Sequence, residues 1–180
     1  MLTELDILRD LSSRLDRLGI PYMLTGSMAM NYHAVPRMTR DIDMVIALPA
    51  GQVPRLVQAL EPDYMVVGEA VAQAVANGGM FNVIHEQSVI KADFICRKDE
   101  PFRIEEFNRR RRIAVGDFET WIVSREDLIL AKLMWAKASR SELQHRDIRN
   151  LLAGECDLPY LDAWAARLGI AADLASLLPR

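Results

Sequence analysis

The 180-residue chain is 51% hydrophobic and 26% charged, ordinary values for a globular protein with one core, or one core plus a helical appendage. Its 22 basic and 25 acidic side chains leave a net charge of −3, which excludes a global positive field for nucleic acid, so any polynucleotide contact must come from a local patch. Two cysteines, Cys96 and Cys156, form neither a CxxC pair nor a disulfide framework, and the charge-interrupted N-terminal stretch reads as neither a signal peptide nor a membrane span. Reduced thiols in a bacterial-type cytoplasm, with no membrane association, are the expectation.

Leu5, Leu8, Leu11, Leu15 and Leu18 recur at helical spacing over residues 3–18, with Thr3 as N-cap and Gly19 as the C-terminal stop. A short strand is expected at 20–24, a turn at Thr25-Gly26-Ser27 and a short helix at 28–33, broken by Pro36. Residues 40–48 read as a strand, 53–60 and 69–76 as helices, and 80–85 with 88–95 as a hairpin linked by Glu86-Gln87. A helix over 101–109 precedes a second hairpin, 113–115 with 118–123, turning at Gly116-Asp117. From Ser124, a helix cap, the chain reads as helical: 128–138, 141–152, 159–168 and a short tail helix. The layout predicts an α/β (α+β) fold. Residues 1–123 form the mixed-sheet core, and 124–180 form a C-terminal helical bundle packed on it.

The chemistry concentrates at two places. Asp41 and Asp43 lie two apart in a predicted strand, so both carboxylates leave the same face. Like charges that close stay ionised most readily around a cation, and oxygen-only ligation suits magnesium or manganese. The alternative is pairing with the adjacent Arg37 and Arg40; a free Arg40 would face a bound nucleotide. Upstream, Gly26 permits close backbone approach, and Ser27 adds a hydroxyl at the start of a helix whose free N–H groups favour phosphate. Asp93, between Ala92 and Phe94, would complete a trio of carboxylates if its strand lies beside that of Asp43.

Gly26-Ser27, Asp41-Ile42-Asp43 and the lone strand acid Asp93 together resemble the DNA polymerase β-like nucleotidyltransferase superfamily. The run Arg37-Met38-Thr39-Arg40-Asp41-Ile42-Asp43 is similar to its minimal bacterial branch, which includes AbiEii-type abortive-infection toxins. Lys132, Arg146 and Asp147 match that branch's helical segment. The resemblance, over roughly residues 20–152, implies a small mixed-sheet nucleotidyltransferase fold and transfer of a nucleoside monophosphate from a nucleoside triphosphate such as ATP. Ser27 would contact the triphosphate, Asp41 and Asp43 would hold both metals, Asp93 would complete the second site and Lys132 would neutralise phosphate. The acceptor hydroxyl would belong to RNA, a partner protein or a small molecule, within a toxin–antitoxin or phage-defence system. The alternative is an inactive interaction or antitoxin protein on the same fold.

The remaining candidates have plainer readings. His33 is expected to be a helix-end or core histidine, and His85 and His145 lack partners at zinc spacing. Cys96 and the methionines Met23, Met28, Met30, Met38 and Met44 are expected in the core. Arg109-Arg110-Arg111-Arg112 reads first as a solvated helix end and second as an RNA grip. Arg140, Arg146 and Arg149 are expected to pair with Glu142 and Asp147 on the helical surface, and Lys132 to be partly buried.

Overall fold

The structure is a computed structural model that describes residues 2–139 and 141–178. Seven strands among these form one mixed sheet in the order β3-β4-β5-β2-β1-β7-β6. In chain order they are β1 (Tyr22–Thr25), β2 (Ile42–Ile46), β3 (Tyr64–Met65), β4 (Met80–His85), β5 (Lys91–Cys96), β6 (Arg111–Val115) and β7 (Phe118–Ile122). The helices are α1 (Glu4–Leu18), α2 (Gly26–His33), α3 (Val53–Leu60), α4 (Gly68–Asn77), α5 (Pro101–Asn108), α6 (Arg125–Ser139), α7 (Glu142–Leu152), α8 (Leu158–Leu168) and α9 (Ala171–Leu177). The fold is therefore the mixed α/β arrangement expected. None of the helices among the described residues is long and apolar enough to cross a membrane.

Local chemistry sets the helix ends. Thr3 and Asp6 form a reciprocal capping box on α1, and Gly19 closes it at φ 65°. Its buried stripe is Ile7, Leu8, Leu11 and Leu15, whereas Leu5 is half exposed at the edge. The Ser124 hydroxyl accepts from the Asp127 N–H at 3.1 Å and so caps α6. Asp157 caps α8 through the Tyr160 N–H at 3.0 Å.

Two strands at the centre of the sheet place Asp43 and Asp93 side by side on one face. β2 pairs parallel to β5 with Asp43 opposite Asp93, and antiparallel to β1 with Asp43 opposite Thr25. Ile42, Met44, Ile46, Ala92 and Phe94 are fully buried, while the intervening Asp43, Val45, Asp93 and Ile95 are only partly so. That alternation turns the second set toward a cavity walled by α6. Below the sheet and between the helices, a single buried cluster runs from Ile7 to Leu177.

Several boundaries differ from the sequence expectation. β2 begins at Ile42, so Asp41 precedes the strand rather than belonging to it. Gly26 and Ser27 are the first residues of α2 instead of a separate turn. The β4–β5 link spans residues 86–90, with Val89 at φ 57° and the Val89 N–H donating to the His85 carbonyl at 2.8 Å. The two-residue β3 went unanticipated because two residues carry no periodicity. Met38 is 91% exposed on the segment between α2 and β2 and packs in no core, whereas Met23, Met30 and Met44 are buried.

The arginine run is neither one helix end nor an open basic patch. α5 stops at Asn108, and Arg111 opens β6. Arg109 donates to buried Asp127 at 3.0 Å and lies 3.9 Å from the Tyr160 ring centroid. Arg110 packs on Phe107 and Trp121, and Arg112 pairs with Glu119 at 2.9 Å. Arg109 and Arg110 are thus engaged within the fold, whereas Arg111 and Arg112 are exposed, Arg112 in a surface ion pair.

Candidate active site

Thr25, at the end of β1, is the N-cap of α2, and its side chain leaves the helix's first turn uncapped. Gly26 follows at φ 62°. A Cβ there would lie 2.9 Å from the Asp43 Cβ and closer still to its carboxylate. Only glycine satisfies both the backbone angle and the close packing that sets Asp43 beside the start of α2. Gly26→Ala is expected to lower stability by about 1–2 kcal/mol. It should also displace the Asp43 carboxylate; a crystal structure of the variant with Asp43 unmoved would contradict this.

Asp41, Asp43 and Asp93 all line one cavity of about 530 Å³, together with Thr25, Gly26 and Ser27. Burial raises the pKa of Asp43 most, followed by the charges of Asp93 and then Asp41. The lysine charges of Lys132 and Lys91 oppose this shift less strongly. Lys91 donates to Asp93 Oδ2 at 2.7 Å; the two side chains lie two apart on one strand, a pairing the sequence reading overlooked. Arg40 is exposed on the segment before β2 and is not in the cavity wall.

Arg37 does not neutralise the acidic pair. Its Nε and Nη2 donate to the two oxygens of Asp147 at 3.0 and 2.9 Å, and Nη2 also reaches Ser27 Oγ at 2.8 Å. Asp147 is fully buried and accepts a third bond, from Lys132 Nζ at 3.0 Å. Lys132 is 5% exposed and also donates to Gln144 Oε1 at 3.0 Å. Burial lowers the Lys132 pKa and outweighs the support of Asp147, whose charge it shares with Arg37. Burial alone would raise the pKa of Asp147, but its two cationic partners together hold it below the ordinary value. The helical surface pairing expected of Asp147 is therefore replaced by a buried bridge from α7 to the α2–β2 segment. Arg146 is exposed, and Arg140 lies outside the described residues.

His33 ends α2 and donates from Nε2 to the Val123 carbonyl at 2.8 Å, a structural role. His85 bonds Ser88 and contacts the Tyr64 ring edge-on. Cys96 is buried.

The side chains suit a hard divalent cation in one respect and limit it in another. Asp43 and Asp93 are side by side on paired strands, and Asp41 adds charge close enough to perturb Asp43. No three His, Cys, Asp or Glu side chains among the described residues close into a metal cage by themselves. Magnesium fits such a site because it retains waters and takes further oxygens from substrate phosphates.

No protein-family model matches the chain, and no curated protein matches it by sequence. Solved structures match it by shape. A nucleotidyltransferase-like antigenic protein from Paracoccidioides brasiliensis superposes with a TM-score of 0.60 at 17% identity, covering 97% of this chain and 91% of that one. The chain has a nucleotidyltransferase fold. The same fold is seen in the lincosamide antibiotic adenylyltransferase LnuA, with a TM-score of 0.53 at 17% identity, over 82% of this chain and 94% of that one. The antibiotic-resistance factor ANT(2'')-Ia gives 0.56 at 15% identity, over 94% and 89%.

Proposed function

We propose that this chain transfers a nucleoside monophosphate from a nucleoside triphosphate to a hydroxyl acceptor and releases pyrophosphate. The observation that carries the reading is the register of Asp43 against Asp93, with Gly26 packed on Asp43 at the start of an uncapped helix. Two carboxylates then adjoin a phosphate-binding turn within one cavity.

The acceptor oxygen attacks the α-phosphorus, the bond to the bridging oxygen breaks, and pyrophosphate leaves with that electron pair. Asp93 takes the acceptor's proton once Lys91 releases it. The N–H groups of the first turn of α2 and the Ser27 hydroxyl hold phosphate oxygens. Arg37, bonded to both Ser27 and Asp147, fixes that hydroxyl. Lys132 has three N–H donors, of which Asp147 and Gln144 engage two, and the third serves phosphate. Asp41, Asp43 and Asp93 would hold magnesium or manganese, which supplies neutralisation of the phosphate charge. Preorganised charge and positioning account for the catalysis. The fold shared with LnuA and ANT(2'')-Ia supports this reading, as does the motif run at 37–43, which also favours a toxin or phage-defence setting.

A second reading is a binding protein that does not turn over, favoured by the Lys91–Asp93 ion pair at 2.7 Å. One experiment decides between them. The purified protein is incubated with each α-labelled triphosphate, with magnesium or with chelator, and with fractionated cell extract. Magnesium-dependent label in an acceptor, with matching pyrophosphate release, is the expected result. Triphosphate binding without label supports the second reading, and the absence of both overturns the proposal.

A further inference from the structure

The cavity extends beyond the aspartates to an end of opposite charge. On β5, Ile95 follows Asp93 on the same face, and the Arg97 N–H continues the ladder by donating to the Ile46 carbonyl at 2.9 Å. Asp93 and Arg97 are therefore roughly 13 Å apart along one strand line. Val45 and Ile95 from the sheet face Leu128 and Ala131 from α6, giving an apolar middle. Past it the cavity is lined by Arg97, Lys98, Arg103 and Glu106.

The charges at this end do not cancel. Glu106 is buried and pairs with Arg103 at 2.9 Å. Arg97 pairs with Asp99 at 2.9 Å, but the Asp99 side chain is 84% exposed. Lys98 adds a further cation. Behind them Arg110 and Arg97 approach the same Phe107 ring, at 4.3 and 5.7 Å from its centroid. Each carries an Nε–H that is buried without an acceptor. Two guanidiniums on one ring repel each other, and an unsatisfied buried donor is costly. Arg110 lies outside the cavity lining, so an anion in the cavity would meet Arg97; it would relieve the repulsion and add charge-assisted hydrogen bonds, and a guanidinium suits phosphate in particular.

We propose that the Arg97–Lys98–Arg103 end of the cavity binds the phosphate of the acceptor, so that the acceptor is a hydroxyl compound that itself carries phosphate. Its role as acceptor rests on the nucleotide-transfer reading; the phosphate site does not. The hydroxyl lies at the aspartates and the phosphate at the arginines, across the apolar middle. A polycationic acceptor such as an aminoglycoside meets repulsion here.

The site is tested first without catalysis. Nε–H resonances of the arginines are followed by NMR while inorganic phosphate, ribose 5-phosphate or ribose is added to the full chain. Arg97 is expected to shift with both phosphates and to stay in place with ribose; no movement with millimolar phosphate overturns the site. Transfer is then measured from α-labelled triphosphate into cell extract pretreated with phosphatase or with nuclease. Loss of label after phosphatase identifies a phosphomonoester, and loss after nuclease a polynucleotide end. Label that survives both treatments overturns the acceptor assignment. Lys98→Glu, at an exposed position, is expected to raise the acceptor KM about tenfold. An unchanged KM counts against the site. If Arg97 shifts with phosphate but no acceptor is ever labelled, the phosphate site stands and the transfer reading fails.

Discussion

Asp43→Asn is expected to reduce nucleotide transfer roughly a thousandfold while making the metal-free protein more stable. The two effects share one cause. Asp43 is raised above its ordinary value first by burial, then by Asp93 and Asp41. A carboxylate whose folded pKa is raised is favoured in its protonated form. Its contribution to stability is complete below the unfolded value of 3.8 and is lost as the pH rises through the folded value. At neutral pH without a divalent cation, the ionised Asp43 therefore works against the fold. Asparagine keeps the shape and removes the charge, for a gain of about 1 kcal/mol, or about 2–4 °C in Tm for a chain of this size. Magnesium should raise the Tm of the wild type and leave that of the variant nearly unchanged. Thermal unfolding with magnesium and with chelator measures this directly. Equal stabilisation of both proteins by magnesium would remove Asp43 from the metal site, and retained transfer would remove it from catalysis.

The acidic end of the site was legible because its signals are local. A glycine before a short helix, an Asp-x-Asp step and an aspartate among apolar strand residues each carry meaning within a few positions. Even there the alternation argument was applied one residue too far, because Asp41 lies outside β2 and reaches the cavity from the preceding segment. The adjacency of Asp43 and Asp93 depends on a parallel pairing, which no local pattern specifies. The partner of Arg37 was not legible for a similar reason. Its nearest acids in sequence are Asp41 and Asp43, yet it bonds Asp147, 110 residues away. The four-arginine run drew attention as a surface grip, but Tyr160 and Asp127 hold Arg109 from distant stretches, and Arg110 packs between Phe107 of the preceding helix and Trp121 of β7. Arg97, Lys98 and Arg103 look unremarkable in sequence, since a strand end and a helix start separate them. The fold brings them to one end of the cavity.

Asp147→Asn is expected to destabilise the protein by about 3–5 kcal/mol, the largest single loss among these variants. Asp147 is wholly buried and is the shared counter-ion of Arg37 and Lys132. Removing its charge leaves two cations facing each other with a neutral amide between them, and an uncompensated buried charge costs more than the pair contributed. Burial, which alone would raise Asp147, is outweighed by the two cations, so its folded pKa lies below the ordinary 3.8. The corresponding stability is present above that value and is lost as the pH falls through the folded one. Urea unfolding across that acid range should show the wild type losing this contribution and the variant lacking it throughout. The same bridge holds the Arg37 guanidinium against Ser27 Oγ, so transfer should fall along with stability. Combining Asp147→Leu with both Arg37→Met and Lys132→Met separates the two effects: apolar replacement of a whole buried ion group commonly restores stability. A phosphate contact would still be missing. Recovered stability without recovered transfer is the expected pattern. Recovery of both would reduce the bridge to a packing element, and a cost below about 1 kcal/mol for Asp147→Asn would mean that Arg37 and Lys132 are held in place by other contacts.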